Sequence, residues 1–423
     1  MSDGSIDFKH EARAQAYATP LDELNPAQPE LFKNDAFWPV FERLRAEAPV
    51  HYTAESEYGP YWSITRYNDI MAVDTNHQVF SSEDGITLQT LESKAEMAKR
   101  PTRQSFISMD PPKHDAQRKT VSPVVAPANL ERMAPVIRER AGIILDALPI
   151  GEEFDWVDLV SKELTAMTLA TLFDFPFEER RRLTHWSDVF TNSVGHGPVT
   201  SWEQKQAEIA ACFAAFDALR AERAAAAPNF DLISMLTHGE ATRDLDEHEF
   251  HGNLVLLIIG GNDTTRNTIS GSVYALNKFP AQYDLLRARP ELIPSMVSET
   301  IRWQTPLAHM KRIATRDVEL SGKTIRKGEQ VVMWYISGNR DEAVIESPNA
   351  YVIDRERPRH HLSFGFGVHR CVGNRVAEMQ LTIIWEEILK RFPRIEVVGE
   401  PVRARTILLR AIESLPVVIP ERF

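Results

Sequence analysis

The chain has 423 residues, of which 43% are hydrophobic, and a net charge of −12 at pH 7. This acidity argues against nucleic acid or an anionic membrane as the main partner. Two cysteines exclude a disulfide framework and predict a protein of the reducing cytoplasm. The longest apolar run, residues 254–259, is too short to cross a bilayer, and the polar N-terminus predicts neither a signal peptide nor a membrane anchor.

The N-terminal quarter predicts a lead-in followed by small elements. Residues 1–34 are polar and are expected to be only partly ordered. Residues 37–48 predict a short amphipathic helix, and residues 50–52 and 61–64 alternate in polarity, which is typical of a β-hairpin. Residues 80–107 are irregular and polar, and long loops of this kind are often functional.

His114 and Arg118 follow a predicted helix start. Asp110 is a good N-cap, and Pro111 falls at the first helical position. The four-residue spacing puts His114 and Arg118 on one helical face. Two donors aligned in this way suit a ligand carboxylate, which an arginine can bind through two parallel hydrogen bonds. For an isolated pair a solvated helix face is the more common explanation, so both interpretations stay open.

Residues 130–223 predict several helices, with breaks near residues 149–151, 175–176 and 195–198. Cys212 lies in an Ala/Phe-rich helix of this region. A lone cysteine in such a helix is expected to be a packed core residue.

Residues 245–278 predict one long helix, which ends before Pro280. Its centre is apolar all round, so the helix should be buried. Directly after that centre, residues 260–265 contain two glycines and two threonines, and each glycine costs a helix about 1 kcal/mol. A local rule broken inside a strong helix is often a sign of function. A widened turn without a side chain at Gly261 would leave room for a small ligand such as dioxygen; helix–helix packing is the alternative.

Glu299 and Arg302 are three residues apart in the predicted helix 296–303, so they can form an ion pair on one face. Most such pairs are exposed and contribute less than about 1 kcal/mol. Alone, the pair carries little information.

The C-terminal third alternates in polarity over residues 306–328, with a turn at residues 321–323, and again over residues 331–335. Residues 407–409 and 415–419 predict a last pair of strands. The fold class is therefore mainly α with a smaller β-rich lobe (α+β). Because no repeat or flexible linker interrupts the chain, residues 35–423 are expected to form a single domain.

Cys371 lies in the glycine-rich stretch HHLSFGFGVHRCVG, residues 360–373, directly before a helical pattern. A helix N-terminus favours a thiolate, which suits a metal ligand. Two other interpretations stay open on these residues alone. The first is a small buried hydrophobe. The second is a zinc site with the three histidines of the stretch, although structural zinc usually takes paired ligands and Cys212 is far away in sequence.

The order Phe-Gly-x-Gly-x-His-x-Cys-x-Gly over residues 364–373 resembles the haem-binding loop of the cytochrome P-450 superfamily, the haem-thiolate monooxygenases. The sequence Gly-Gly-x-Asp-Thr-Thr at residues 260–265 resembles the oxygen-activation motif of that family. The His114/Arg118 helix and the Glu299-x-x-Arg302 pair stand in the family's order, so the resemblance covers nearly the whole chain. It implies the cytochrome P-450 fold, with haem b between the long central helix and the helix after Cys371.

The resemblance also implies a role for individual residues. Cys371 would be the axial thiolate ligand of the haem iron, and Asp263 and Thr264 would relay protons to dioxygen. The residues implied to contact the haem are His114, Arg118, Arg312 and His369, near its propionates, together with Phe364, Gly365 and Gly261. The residues implied to lock the core behind the haem are Glu299, Arg302 and Arg355, with Arg357 as a second possibility for the third.

No flavin or iron–sulfur domain fits in the remaining sequence. Electrons from NAD(P)H are therefore expected to arrive through an FAD-containing ferredoxin reductase and a two-iron ferredoxin. Arg370, Arg375 and Lys119 are candidate docking cations on the thiolate side.

The two motifs look most similar to those of bacterial terminal alkane and fatty-acid hydroxylases. This implies terminal (ω) hydroxylation of a small apolar substrate, a medium-chain alkane or fatty acid, in a channel lined by Leu256, Leu257 and the 80–107 loop. A terpenoid or sterol is the alternative substrate. A peroxygenase, which the Asp263–Thr264 pair argues against, and a non-catalytic haem sensor are the other classes.

Overall fold

The computed structural model of the protein describes residues 4–99, 103–192, 194–195 and 197–423. Its helices are α1 (Gly4–Ala18), α2 (Pro29–Lys33), α3 (Trp38–Glu47), α4 (Tyr67–Asp74), α5 (Leu91–Met97), α6 (Lys113–Val121), α7 (Pro127–Asp146), α8 (Glu163–Phe173), α9 (Arg181–Thr191), α10 (Trp202–Ala224), α11 (Leu232–His238), α12 (Glu247–Lys278), α13 (Pro280–Ala288), α14 (Ile293–Gln304), α15 (Tyr335–Gly338) and α16 (Asn374–Arg391).

The strands are short and form small sheets. They are β1 (Val50–Thr53), β2 (Tyr61–Ile64), β3 (Phe80–Ser81), β4 (Glu153–Asp155), β5 (Met310–Ala314), β6 (Val318–Leu320), β7 (Lys323–Ile325), β8 (Gln330–Met333), β9 (Glu396–Val397), β10 (Val402–Arg403), β11 (Ile412–Ser414) and β12 (Pro416–Val418). The main sheet has the order β1-β2-β8-β5-β3, and β2 and β8 run parallel. The smaller sheets are β4-β12-β9, β10-β11 and β6-β7.

Helix α12 is the centre of the fold. Its N-terminus is capped by the Asp246 side chain, which accepts the Glu249 N–H at 2.8 Å. Nineteen of its residues are buried, because α8, α9, α14 and α16 pack around it. The predicted long buried helix, the predicted hairpin (β1 and β2) and the fold class, mainly α with small sheets, are confirmed.

Residues 80–107 were expected to be irregular, and this expectation is wrong in part. The segment contains β3 and α5, and a 3₁₀ turn begins at Phe106. Helix α5 forms because the Thr90 hydroxyl caps it by accepting the Ser93 N–H at 3.1 Å. Residues 100–102 lie outside the described part of the chain.

The predicted helix start at Asp110 is also wrong, since α6 begins at Lys113. The residue before a proline is disfavoured in the helical region, and here Pro111 itself precedes Pro112. The Asp110 carboxylate accepts the Ser82 N–H at 3.1 Å instead of capping the helix.

The two ends of the chain also differ from the sequence predictions. Residues 4–18 of the lead-in form α1, which packs on α3; residues 1–3 lie outside the described part. Residues 407–409 form no ladder with β12: Leu409 makes an isolated bridge to Leu307. The next residue, Arg410, points into the protein, where its Nε and Nη2 atoms donate to the Asp35 carboxylate, both at 3.1 Å. The predicted break at 195–198 separates α9 from α10, with residue 196 outside the described residues.

Candidate active site

The glycine-rich loop before α16 is held in place by Asp74, at the end of α4. The Asp74 carboxylate accepts the Phe366 N–H at 2.8 Å, the Tyr335 hydroxyl at 3.0 Å and Arg312 Nη2 at 3.0 Å. Burial raises the pKa of Asp74, while Arg312 and the Phe366 N–H oppose the rise. Sequence reasoning missed Asp74 because nothing around it in the chain points to a partner 292 residues away.

Two glycines make the close approach of this loop possible. Gly365 and Gly367 have φ values of 62° and 65°, which L side chains rarely adopt. A Cβ on Gly367 would lie 2.6 Å from the Asp74 carbonyl oxygen. The loop then turns so that the Cys371 N–H donates to the Phe364 carbonyl at 2.8 Å.

Cys371 lies deep in the protein, and the exposed surface of its side chain faces a cavity. Burial raises the pKa of the thiol, while the N–H groups of Gly373 and Asn374 and the charges of Arg118 and Arg370 oppose the rise. The helix N-terminus therefore does not by itself outweigh burial. A thiolate here needs a cationic partner on the cavity side, as a metal ion would be.

A zinc site at Cys371 is not supported. In the described part of the chain, Cys371 belongs to no group of three or more His, Cys, Asp or Glu side chains close enough to share an ion. The neighbouring histidines are engaged elsewhere: His360 packs on Tyr67, and His361 packs on Phe364.

A polar rim closes one side of the cavity. Arg118, Arg312 and His369 line it, and His114 lies directly behind, with its ring centroid 4.4 Å from that of His369. His369 Nε2 bonds the Ser82 hydroxyl at 3.0 Å, and His114 Nδ1 bonds Asp115 at 2.7 Å. Among the described residues, the other ring nitrogen of each histidine is buried without a hydrogen-bond partner.

The rim is built to receive anionic groups. Burial, with the nearby charges of Arg312 and Arg118, lowers the pKa of His369 to about 2, so this ring is neutral near pH 7. Burial also lowers the pKa of His114. The Nδ1–H of neutral His369 and the two guanidinium groups can donate to the carboxylates of a bound group, whereas neutral His114, whose Nδ1–H faces Asp115, offers only a lone pair on Nε2.

The opposite wall of the cavity is formed by α12, which continues without interruption through residues 260–265. The Thr264 hydroxyl donates to the Gly260 carbonyl at 3.1 Å, an i to i−4 bond that distorts helices. A Cβ on Gly260 would meet nothing within 4 Å, whereas one on Gly261 would lie 2.6 Å from Leu169 Cδ2. The expected room at Gly261 is therefore filled by Leu169, and the open position is Gly260.

Asp263 is fully buried and lies outside the lining of the cavity, whereas Thr264 belongs to that lining. The Asp263 carboxylate pairs with Arg266 at 2.8 Å and accepts the hydroxyl of Ser187, on α9, at 3.1 Å. Burial raises the pKa of Asp263, and Arg266 opposes the rise. Arg266 also binds Asp188 at 2.6 Å, which carries the network to the protein surface. The i,i+3 spacing of Asp263 and Arg266 was the sequence signal for this contact.

Glu299 joins the two arginines expected behind the cavity. Its carboxylate accepts Arg302 Nε and Nη2, both at 2.8 Å, and Arg355 Nε at 2.9 Å. Arg302 also donates to the carbonyls of Asn339 and Pro348. The structure places Arg355 in this cluster, as expected.

The cavity lies between Cys371 and α12. Apart from the polar rim, its wall is apolar. The residues there are Phe106, Ile107, Leu169, Leu172, Leu232, Leu256, Leu257 and Leu307. Leu256, Leu257 and the end of the 80–107 loop thus lie where the sequence analysis expected them.

A model of the cytochrome P-450 family matches residues 281–406. The chain is 35% identical to Linalool 8-monooxygenase of Pseudomonas putida, over 92% of this chain and 97% of that protein. It is 29% identical to the Methyl-branched lipid omega-hydroxylase of Mycobacterium tuberculosis, over 94% of this chain and 96% of that protein. The structure of CYP153D17 from Sphingomonas sp. PAMC 26605 matches with a TM-score of 0.87 and 44% identity, covering 95% of this chain and 100% of that chain.

A cysteine that faces a long central helix across a cavity with an anion-binding rim is the arrangement of a haem-thiolate protein. The chain belongs to the cytochrome P-450 family and is a cytochrome P-450 monooxygenase. Membership implies a haem with a cysteine thiolate ligand, and the buried, unpartnered His369 Nδ1 beside Arg118 and Arg312 fits its propionates. No helix of the described residues is long and apolar enough to cross a membrane.

Replacing Glu299 by Gln should lower the free energy of unfolding by about 3–5 kcal/mol, because the buried Arg302 and the partly buried Arg355 lose their carboxylate. The control is Glu291→Gln, which removes an exposed pair with Arg289 and should leave the free energy of unfolding nearly unchanged. Denaturant unfolding measures both. Equal losses would contradict the buried role of Glu299.

Replacing Gly367 by Ala should destabilise the glycine-rich loop for two reasons. The positive φ costs about 1–2 kcal/mol, and the clash with the Asp74 backbone adds about 1–3 kcal/mol. Gly328→Ala is the matched control, since Gly328 has a φ of 88° and open space around its Cβ position. We expect a larger loss of unfolding free energy and of haem content in Gly367→Ala. A loss no greater than that of the control would mean that the close approach to Asp74 is not required.

Proposed function

We propose that this monooxygenase hydroxylates the terminal carbon of small apolar chains, with medium-chain alkanes as the first candidates and fatty acids as the second. The observation that carries the proposal is the apolar wall of the cavity: the arginines that line it, Arg118 and Arg312, belong to the polar rim. An alkane needs no polar anchor. The omega-hydroxylase relative, and the likeness of the two motifs to bacterial alkane and fatty-acid hydroxylases, support this reading.

Haem b would be held by residues from both sides of the cavity. Cys371 would bind the iron, while Phe364 and Gly365 would pack beside it in the loop. Arg118, Arg312 and the His369 Nδ1–H would donate to the propionates, and His114 would join them on taking up a second proton. When bound, the haem supplies the activation of dioxygen and its insertion into a C–H bond.

Thr264 and Asp263 would supply protons from the α12 side. The Thr264 Oγ1 hydroxyl faces the cavity and can give a proton to a ligand there once it leaves the Gly260 carbonyl. The Asp263 carboxyl group would return that proton after it has itself taken up a proton from solvent; the ion pairs of Arg266 hold it between Asp263 and Asp188. Because Asp263 is turned toward α9, the relay requires its carboxylate to leave Arg266.

Terminal selectivity would come from the cavity walls. A methyl C–H bond is stronger than a methylene C–H bond, so attack at the chain end requires walls that keep the methylene groups away. Phe106 and Ile107 approach the cavity from one side, and Leu256 and Leu257 approach from α12. These side chains would admit the chain end first.

Electrons would come from NAD(P)H through a flavoprotein reductase and a two-iron ferredoxin. Arg370, Arg375 and Lys119 are exposed on the Cys371 side and would contact an acidic ferredoxin. The overall reaction consumes the substrate, one dioxygen, two electrons and two protons, and it yields the alcohol and water. We further propose that residues 35–423 act as one domain.

A terpenoid is the second candidate substrate. The 35% identity to Linalool 8-monooxygenase favours it, and an apolar cavity without a charged anchor also suits a terpenoid.

For the substrate, we expect medium-chain alkanes to convert the visible spectrum of the ferric protein from low spin to high spin and to give 1-alkanols in the reconstituted system. The panel should contain alkanes, fatty acids, linalool and a sterol. Preferential binding and turnover of linalool would replace the proposal by its alternative. Turnover driven by hydrogen peroxide alone would indicate a peroxygenase, and binding without turnover would indicate a sensor.

For the proton relay, Thr264→Ala should leave substrate binding intact but divert most reducing equivalents to hydrogen peroxide, because the cavity loses its proton donor. Thr264→Ser keeps the hydroxyl and is the control, with coupling near that of the wild type. The ratio of alcohol to NAD(P)H consumed measures the effect. An unchanged ratio in Thr264→Ala would contradict the relay.

A further inference from the structure

One segment next to the cavity lies unusually close to α12. A Cβ on Gly252 would fall 2.1 Å from the Gln104 carbonyl oxygen and 3.1 Å from the Arg103 carbonyl carbon. The contact is backbone against helix, so no side-chain rearrangement can relieve it. Gly252 is the residue that lets residues 103–108 lie directly on the helix.

The next residue of α12 bonds this segment directly. The Asn253 Oδ1 atom accepts the Phe106 N–H at 2.9 Å, and its Nδ2 group donates to Gln117 Oε1, on α6, at 2.9 Å. Asn253 is fully buried, and Gln117 is 2% exposed. The two bonds therefore join three elements in an apolar setting, where an unpaired partner would be costly.

A third contact reinforces the same place. The Arg103 guanidinium lies 4.9 Å from the centre of the Phe213 ring, on α10. The other face of Phe213 stacks on His251, with 3.9 Å between centroids and 4° between planes. Residues 251–253 of α12 thus contact both residues 103–108 and α10.

The contacts of residues 103–108 with Gly252 and Asn253 fix the position of one wall of the cavity. Phe106 is 3% exposed and lines the cavity together with Ile107. Its ring meets His114 edge to face at 6.4 Å. The Phe106 N–H is bonded to α12 through the Asn253 side chain. The position of this wall therefore depends on the length of that side chain and on its acceptor oxygen.

We propose that Asn253, seated beside Gly252, is a specificity-determining positioning residue: it fixes residues 103–108 and thereby sets how wide the cavity is in front of the reacting carbon. The inference rests on the proposed function for its substrate class. It adds a cause of terminal selectivity that lies outside the cavity lining. A purely structural asparagine would change stability but not the site of oxidation.

The test compares three variants of the haem-loaded protein. Asn253→Leu removes both hydrogen bonds and keeps a side chain of similar size. Asn253→Asp keeps the acceptor for the Phe106 N–H, and the Gln117 amide can turn its NH₂ toward the new carboxylate. Asn277→Leu is the matched control, because Asn277 also lies on α12 and bonds the backbone at Ile395 and Val397, away from the cavity.

Two readouts are measured, namely amide hydrogen exchange of residues 103–109 and the ratio of terminal to subterminal alcohol from a medium-chain alkane. For Asn253→Leu we expect exchange at least tenfold faster and at least a threefold fall in the ratio. Asn253→Asp should stay near the wild type in both. Asn277→Leu should lose stability with an unchanged ratio.

If Asn253→Leu fails to fold, Gly252→Ala replaces it, with the same expected direction in both readouts. Unchanged exchange in 103–109, or faster exchange with an unchanged alcohol ratio, would overturn the inference. If the wild type makes no alcohol from any alkane, the proposed function fails separately. The role of Asn253 is then tested by amide hydrogen exchange of residues 103–109 and by the range of substrate widths that shift the spin state. This range should be broader in Asn253→Leu than in the wild type.

Discussion

The site depends on the hydrogen bonds and the ion pair that the Asp74 carboxylate makes. This carboxylate is buried, and it binds a backbone N–H of the glycine-rich loop, a tyrosine hydroxyl on α15 and an arginine of β5. Burying a carboxylate is unfavourable unless such donors surround it. Because it gathers the loop, the sheet and the polar rim at one point, Asp74 fixes where Cys371 stands relative to the rest of the cavity.

The two walls of the cavity are built differently. The Cys371 side is held by buried pairs, Asp74 with Arg312 and Glu299 with two arginines, which leave little freedom. On the α12 side, Thr264 bonds a carbonyl of its own helix, and the buried Asp263 shares Arg266 with Asp188. The Cys371 side thus carries ion pairs that fix the loop and the core, whereas the α12 side presents the Thr264 hydroxyl to the cavity.

Much of this could be predicted from the sequence, because local signals carried it. The long helix follows from its apolar centre and its cap, the hairpin from alternation, and the Cys loop from its glycines. The contacts between distant segments could not be predicted. Asp74 has no local signal, and the difference between Gly260 and Gly261 depends on where Leu169 packs.

Other differences also have physical causes. The start of α6 moved from Asp110 to Lys113 because consecutive prolines keep the chain out of the helical region. Asp263 was expected beside Thr264 in one relay, yet adjacent residues of a helix point about 100° apart, so the acid faces α9 while the hydroxyl faces the cavity. The contact at Gly252 and Asn253 was not predicted: both residues are unfavourable inside a helix, but nothing near them in the chain points to Phe106, 147 residues away.

The most direct test of the account is the fate of labelled dioxygen. The purified haem-loaded protein, supplied with a ferredoxin, its reductase, NAD(P)H and a medium-chain alkane under ¹⁸O₂, should form 1-alkanol carrying one ¹⁸O atom, measured by mass spectrometry. Alcohol without the label, or no alcohol from a protein that shows the thiolate-type carbon monoxide spectrum, would contradict it.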